Sequence, residues 1–171
     1  MALLEMALVY VLANEGGVSR NTSDRGGLTN MGVTQKTLSS YLGRPATDAE
    51  VTNLDKATAT DLYRKMYWNV IRGDSIKSQA VATAFFDMAV LMGPQRATVI
   101  AQKVAGVSTD GVMGPMTLAA INALAPCEFL SGYQAGAGSF FKAIIAADAS
   151  QSVFATGWSY RATKMTSAAL V

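Results

Sequence analysis

The chain has 171 residues, half of them apolar and 15% charged, with a formal net charge of +2. That length suits one compact unit or two small lobes, and so mild and scattered a charge excludes a nucleic-acid footprint. A single cysteine and the absence of histidine exclude an intrachain disulfide, histidine-based nucleophile pairs and nearly all zinc hydrolase sites, which leaves carboxylates to do any hydrolytic acid–base work.

In chain order, Leu4, Leu8, Val11 and Glu15 recur at helical spacing. They predict a first helix with Glu15 at the end of its apolar stripe, terminated by Gly16-Gly17. This run has no basic start, contains Glu5 and is too short to span a bilayer, so it reads as part of the fold and not as a cleavable signal peptide. Residues 18–34, rich in Ser, Thr, Asn, Asp and Gly, read as an irregular loop or short β-hairpin. A helix is expected over 34–42, stopped by Gly43-Arg44-Pro45. Thr47-Asp48-Ala49-Glu50 has the capping-box pattern of a helix start, and another helix is expected over 58–67.

The turn Gly73-Asp74-Ser75 is expected to divide a lobe of residues 1–76 from a helical lobe of residues 77–171. In the second lobe, residues 78–91 are nearly all apolar and predict a core helix. Residues 94–105 form the next. Asp110-Gly111-Val112-Met113-Gly114-Pro115 is a turn that places Pro115 at the first position of a helix ending before Pro126. Residues 129–148 are expected to be the final long helix, weakened by Gly132, Gly136 and Gly138. Cys127 is expected to be a small buried apolar residue.

Glu15 is the first candidate for chemistry. Burial on a helix face and the negative end of the helix dipole both favour a protonated carboxyl, which could donate a proton to a leaving oxygen. Taken alone it could equally be a solvated helix-end glutamate. Asp24 follows nine positions later across a glycine-rich turn, and Thr29 five after that. A loop folding back would set Asp24 and Thr29 opposite Glu15, as glycoside hydrolysis requires of an acid, an ionised carboxylate and a held water. Spacing alone also allows residues 23–27 to be a plain turn, with Asp24 bonded to its own backbone. Tyr67 and Trp68 are either a stacking platform for a sugar ring or core packing.

Glu15-Gly16-Gly17 followed by Asp24-Arg25-Gly26-Gly27-Leu28-Thr29-Asn30-Met31-Gly32-Val33-Thr34 resembles the paired motifs of glycoside hydrolase family 108. The resemblance continues through Tyr67-Trp68, Phe86-Asp87-Met88-Ala89-Val90, Ala101-Gln102, the stretch Asp110–Thr117, and Gly157-Trp158-Ser159-Tyr160-Arg161. It departs at Leu91, where the family usually has Asn, and in residues 133–138, where a basic residue is usual. What it implies is a mainly α, lysozyme-like helical fold and an N-acetylmuramidase that cuts the β-1,4 bond between N-acetylmuramic acid and N-acetylglucosamine. The second lobe would be a predicted peptidoglycan-binding segment. Glu15, Asp24 and Thr29 are then the expected catalytic residues, with Asn30, Tyr67, Trp68 and Gln102 as substrate-binding candidates and no metal or cofactor.

The setting the resemblance implies is a phage or prophage endolysin. It would be made in the bacterial host cytoplasm, act on the wall from the periplasmic side, and depend on a holin for passage. A monomer is expected, without nucleic acid or stable membrane insertion. The alternatives are a wall-binding or virion component without activity, a muramidase serving a secretion apparatus, and a lytic transglycosylase.

Overall fold

The computed structural model describes residues 1–14, 19–20 and 28–164. It is mainly helical. Helix α1 (Leu4–Asn14) precedes a small antiparallel sheet of β1 (Ser19–Arg20), β2 (Leu28–Asn30) and β3 (Val33–Thr34), in that order. Then come α2 (Gln35–Leu42), α3 (Asp48–Thr52) and α4 (Lys56–Tyr63), which runs into a π-helical turn, Arg64–Trp68. After a 3₁₀ turn at Gly73–Ser75 the chain forms α5 (Gln79–Met92), α6 (Pro94–Val104), α7 (Pro115–Ala123), α8 (Pro126–Ala147) and, past another 3₁₀ stretch, α9 (Ala155–Thr163).

Local chemistry accounts for most of the boundaries. The Thr34 side chain caps α2, which stops at the left-handed Gly43 (φ 69°). Thr47 and Glu50 close the expected capping box at α3, and Asp55 caps α4. Pro94, Pro115 and Pro126 each open a helix, where the missing N–H costs nothing.

Helix α5 is the centre of the molecule. Val81 through Ala89 are all buried, so no face of this stretch meets water, as befits a helix apolar on nearly every side. It packs on α1, the π turn, α6 and α8. At its start, Gln79 accepts from the Leu3 N–H (2.7 Å) and donates to the Leu3 carbonyl (3.1 Å), fixing the entry to α1.

Three expectations need correction. The helix over 126–147 is not the last one, because α9 follows it. The glycines of α8 are also not mere weak points. A Cβ on Gly136 would sit 2.6 Å from Ile100 Cγ2, and one on Gly132 would sit 3.0 Å from Val104 Cγ1. Their bareness lets α8 close on α6, so the intrinsic helix penalty of about 1 kcal/mol per glycine is offset by packing. Cys127 is likewise exposed instead of buried; it lies in the first turn of α8, ahead of the buried Phe129 and Leu130.

Candidate active site

Of the three expected catalytic residues, the structure describes Thr29, which sits on β2. Its Cα partners are Ser19 on β1 and Thr34 on β3. Leu28 and Asn30 are buried while Thr29 between them is half-exposed, so the two-residue period of a strand turns Thr29 to the opposite face of the sheet.

Such short strands need outside support, and three contacts supply it. Met31 and Gly32 connect β2 to β3 with φ values of 49° and 73°, the left-handed pair that matches the twist of a tight hairpin. The Met31 carbonyl accepts from the Tyr63 hydroxyl at 2.9 Å. Tyr63 is itself enclosed, with the Phe86 ring edge-on at 6.0 Å and the Tyr67 ring tilted at 5.8 Å. From the other side, the Asn30 amide donates to the carbonyls of Val51 and Thr52, both at 3.0 Å. Those carbonyls end α3, past the reach of its i→i−4 ladder, and the Val51 oxygen also accepts from Leu54 N–H at 3.3 Å. The hairpin is therefore clamped between α3 and an aromatic cluster made of Tyr63 at the end of α4, Tyr67 in the π turn and Phe86 on α5. Tyr63, which the motifs did not single out, is the residue through which α5 sets the hairpin position.

Glu15 and Asp24 lie outside the described residues. The helix that leads to Glu15 is anchored: Leu4, Ala7, Leu8 and Val11 are all buried, and α1 packs along α5. Of the substrate-binding candidates, Tyr67 is half-buried beside Tyr63. The other three have internal roles. Asn30 spends its amide nitrogen on α3, as above. Trp68 has no exposed surface; Phe86 packs edge-on against it, its Nε1–H donates to Asp74 at 2.7 Å, and Gly73 lies against the indole so closely that a Cβ would fall 2.3 Å away. It has no face to offer a sugar ring. Gln102, also fully buried, donates to Asp110 (2.6 Å), the Val112 carbonyl (3.1 Å) and Thr117 (3.2 Å), and accepts from Gly111 N–H (2.9 Å). It knots the Asp110–Thr117 turn onto α6.

Electrostatics narrows the choice of general acid. Asp61 is held below the ordinary carboxylate range by Lys65 and by the Tyr41 hydroxyl, and Asp110 by the Val112 N–H and Gln102. Both stay ionised near neutral pH. Burial pushes Asp87 upward, with Arg161 opposing. Yet Asp87 is sealed in α5 and gripped by Arg161, whose Nη2 lies 2.5 Å from Oδ1 and Nε 3.3 Å from Oδ2. A carboxyl without solvent access cannot protonate a glycosidic oxygen. Among the described residues no cluster of three or more His, Cys, Asp or Glu could hold a metal ion.

Comparison with known proteins decides the family. The sequence profile of Glycosyl hydrolase 108 matches residues 8–93, which includes most of α1, the sheet and all of α5. The chain belongs to glycosyl hydrolase family 108. Residues 96–163 match a second profile, described as Predicted Peptidoglycan domain, so this family 108 member is a glycoside hydrolase that acts on peptidoglycan. The solved structure titled "Structure of Brucella abortus SagA" is similar over 97% of this chain and 92% of its own, at 38% identity and a TM-score of 0.87. That likeness runs through both matched segments. The comparison with curated proteins returned no match.

Proposed function

We propose that the chain is an N-acetylmuramidase, cutting the β-1,4 bond between N-acetylmuramic acid and N-acetylglucosamine. The observation that carries this reading is the held hairpin. It presents Thr29 on the sheet face opposite the buried Leu28 and Asn30, within the segment that matches the hydrolase profile. Glu15 and Asp24 precede it in the order that acid, carboxylate and water-holding hydroxyl take in the motif.

In this reading Glu15 protonates the leaving oxygen. Asp24 stays ionised, and with Thr29 it positions water or stabilises the oxocarbenium-like transition state. Tyr67 borders the substrate, whereas Asn30, Trp68 and Gln102 act through the scaffold. The order of Glu15, Asp24 and Thr29 in the motif supports giving that role to Glu15. The proposed setting is a phage or prophage endolysin that meets the wall with the help of a holin. No helix of the described residues is long and apolar enough to cross a membrane.

The test is release of reducing sugar from purified peptidoglycan by the wild type and by Glu15→Gln, both checked for folding by circular dichroism. A general acid contributes about 10²–10⁴-fold, so a fall of at least about a hundredfold is expected, with muramic acid at the new reducing ends. Anhydro-sugar products would instead identify a transglycosylase. A folded wild type that binds the wall and releases nothing would make the protein a binding module.

A further inference from the structure

Between α6 and α8, in the predicted peptidoglycan segment, runs a groove to which the muramidase reading gives no role. It encloses about 460 Å³, within the roughly 300–1,000 Å³ typical of ligand sites. Val99 and Ile100 on α6 and Phe140 on α8 give it an apolar lining, and no carboxylate lines it. Arg96 and Lys103 complete the α6 side. They lie seven positions apart on one helix face, two turns or about 10 Å along the axis.

These two cations are uncommitted. Neither has an acidic partner among the described residues, in contrast to Arg44, Arg64, Lys65 and Arg161. The Arg96 guanidinium lies 5.1 Å from the Phe140 ring centre, a cation–π contact that holds the charge over the groove. An uncharged sugar would leave both cations unmatched. A long polyanion would need an extended basic surface, which a net charge of +2 does not supply. A short peptide with carboxylates about two helical turns apart and aliphatic side chains between them matches both the charges and the lining.

We propose that the α6–α8 groove seats the acidic stem peptide of peptidoglycan, with its carboxylates on Arg96 and Lys103 and its aliphatic portion against Val99 and Phe140. This rests on the wall as substrate and not on the identity of the bond that is cut.

The test is co-sedimentation of the full chain, on ice, with purified peptidoglycan and with glycan strands stripped of their peptides by an amidase. Two groove variants are compared with the wild type: Arg96→Glu with Lys103→Glu, and Ser139→Trp, which fills the groove without changing charge. Lys36→Glu with Lys142→Glu carries the same charge change on exposed residues outside the groove. Circular dichroism verifies folding of each. Both groove variants should bind intact wall at least tenfold more weakly and the control within twofold, and the wild type should bind stripped strands at least tenfold more weakly than intact wall. Undiminished binding by either groove variant, an equal loss in the control, or tight wild-type binding to stripped strands would overturn the proposal. Reducing-end release is measured separately, so a wild type that binds but does not cut defeats the muramidase reading and leaves this one standing.

Discussion

The molecule has two buried polar knots that do different work. Around Gln102, one neutral amide satisfies groups from 8 to 15 residues away in sequence, and the knot shapes a single turn. The Asp87–Arg161 pair joins residues 74 apart and fastens α9 to the central helix. In the first, a side chain without net charge meets its hydrogen-bonding capacity locally, at little desolvation cost. In the second, two ions are desolvated together, and each is tolerable only while the other remains. A loop can be fixed by hydrogen bonds alone, whereas closing the chain over a dry core here uses opposite charges.

Removing one ion should therefore have the largest effect. Arg161→Ala is expected to cost about 3–5 kcal/mol in chemical denaturation, because it strands Asp87. The sign with pH follows from the raised Asp87 pKa, which loss of Arg161 raises further. A folded-state pKa above the unfolded value gives stability that is full below the unfolded pKa and lost as pH rises through the folded one. The penalty should thus be greatest at neutral pH and shrink as pH falls toward the ordinary carboxylate range; a pH-independent penalty would contradict the ionic account. Next comes Gln102→Leu, similar in volume, which leaves the Gly111 N–H and its neighbours without partners, at about 1–3 kcal/mol. Thermal melts should show it weaker than Arg161→Ala, and the reverse order would undo the contrast. The smallest effect belongs to Asp110→Asn, which keeps the acceptor oxygen and loses only the charge. Since Asp110 titrates below its ordinary range, its ionic contribution is present above the unfolded pKa and lost as pH falls through the folded one. Melts of the variant and the wild type should therefore converge only at more acid pH than the window in which the Arg161→Ala penalty fades.

Much of this architecture was legible residue by residue. The capping box at Thr47, prolines at first helical positions and the apolar run of α5 act over a few residues, so the sequence displays them directly. What connects distant residues was not displayed. Asp87 and Arg161 each stood out within a motif, yet nothing in either motif states that they pair. The available clue was physical: an aspartate inside an otherwise apolar helix requires a cation. Trp68 and Gln102 suggest recognition by residue type, but burial gives them to the scaffold. Cys127 reads as apolar, although its place in the first turn of α8 exposes it. α9 was missed because Gly157 and a cluster of Ser and Thr dilute its helical signal. For the site, the motif order named Glu15, Asp24 and Thr29, while the support of the hairpin by Tyr63 and Asn30 depends on tertiary contacts that spacing does not encode.

Helix α5 lies wholly within the hydrolase segment, yet it packs directly on α6 and α8 of the predicted peptidoglycan segment. Hydrolases that carry a binding module on a flexible tether gain from raised local concentration, and their cutting head searches a volume set by tether length. A shared helix removes that search volume. On the proposed reading, the peptide seat between α6 and α8 and the cutting site would be joined through one packed helix, with no tether between them.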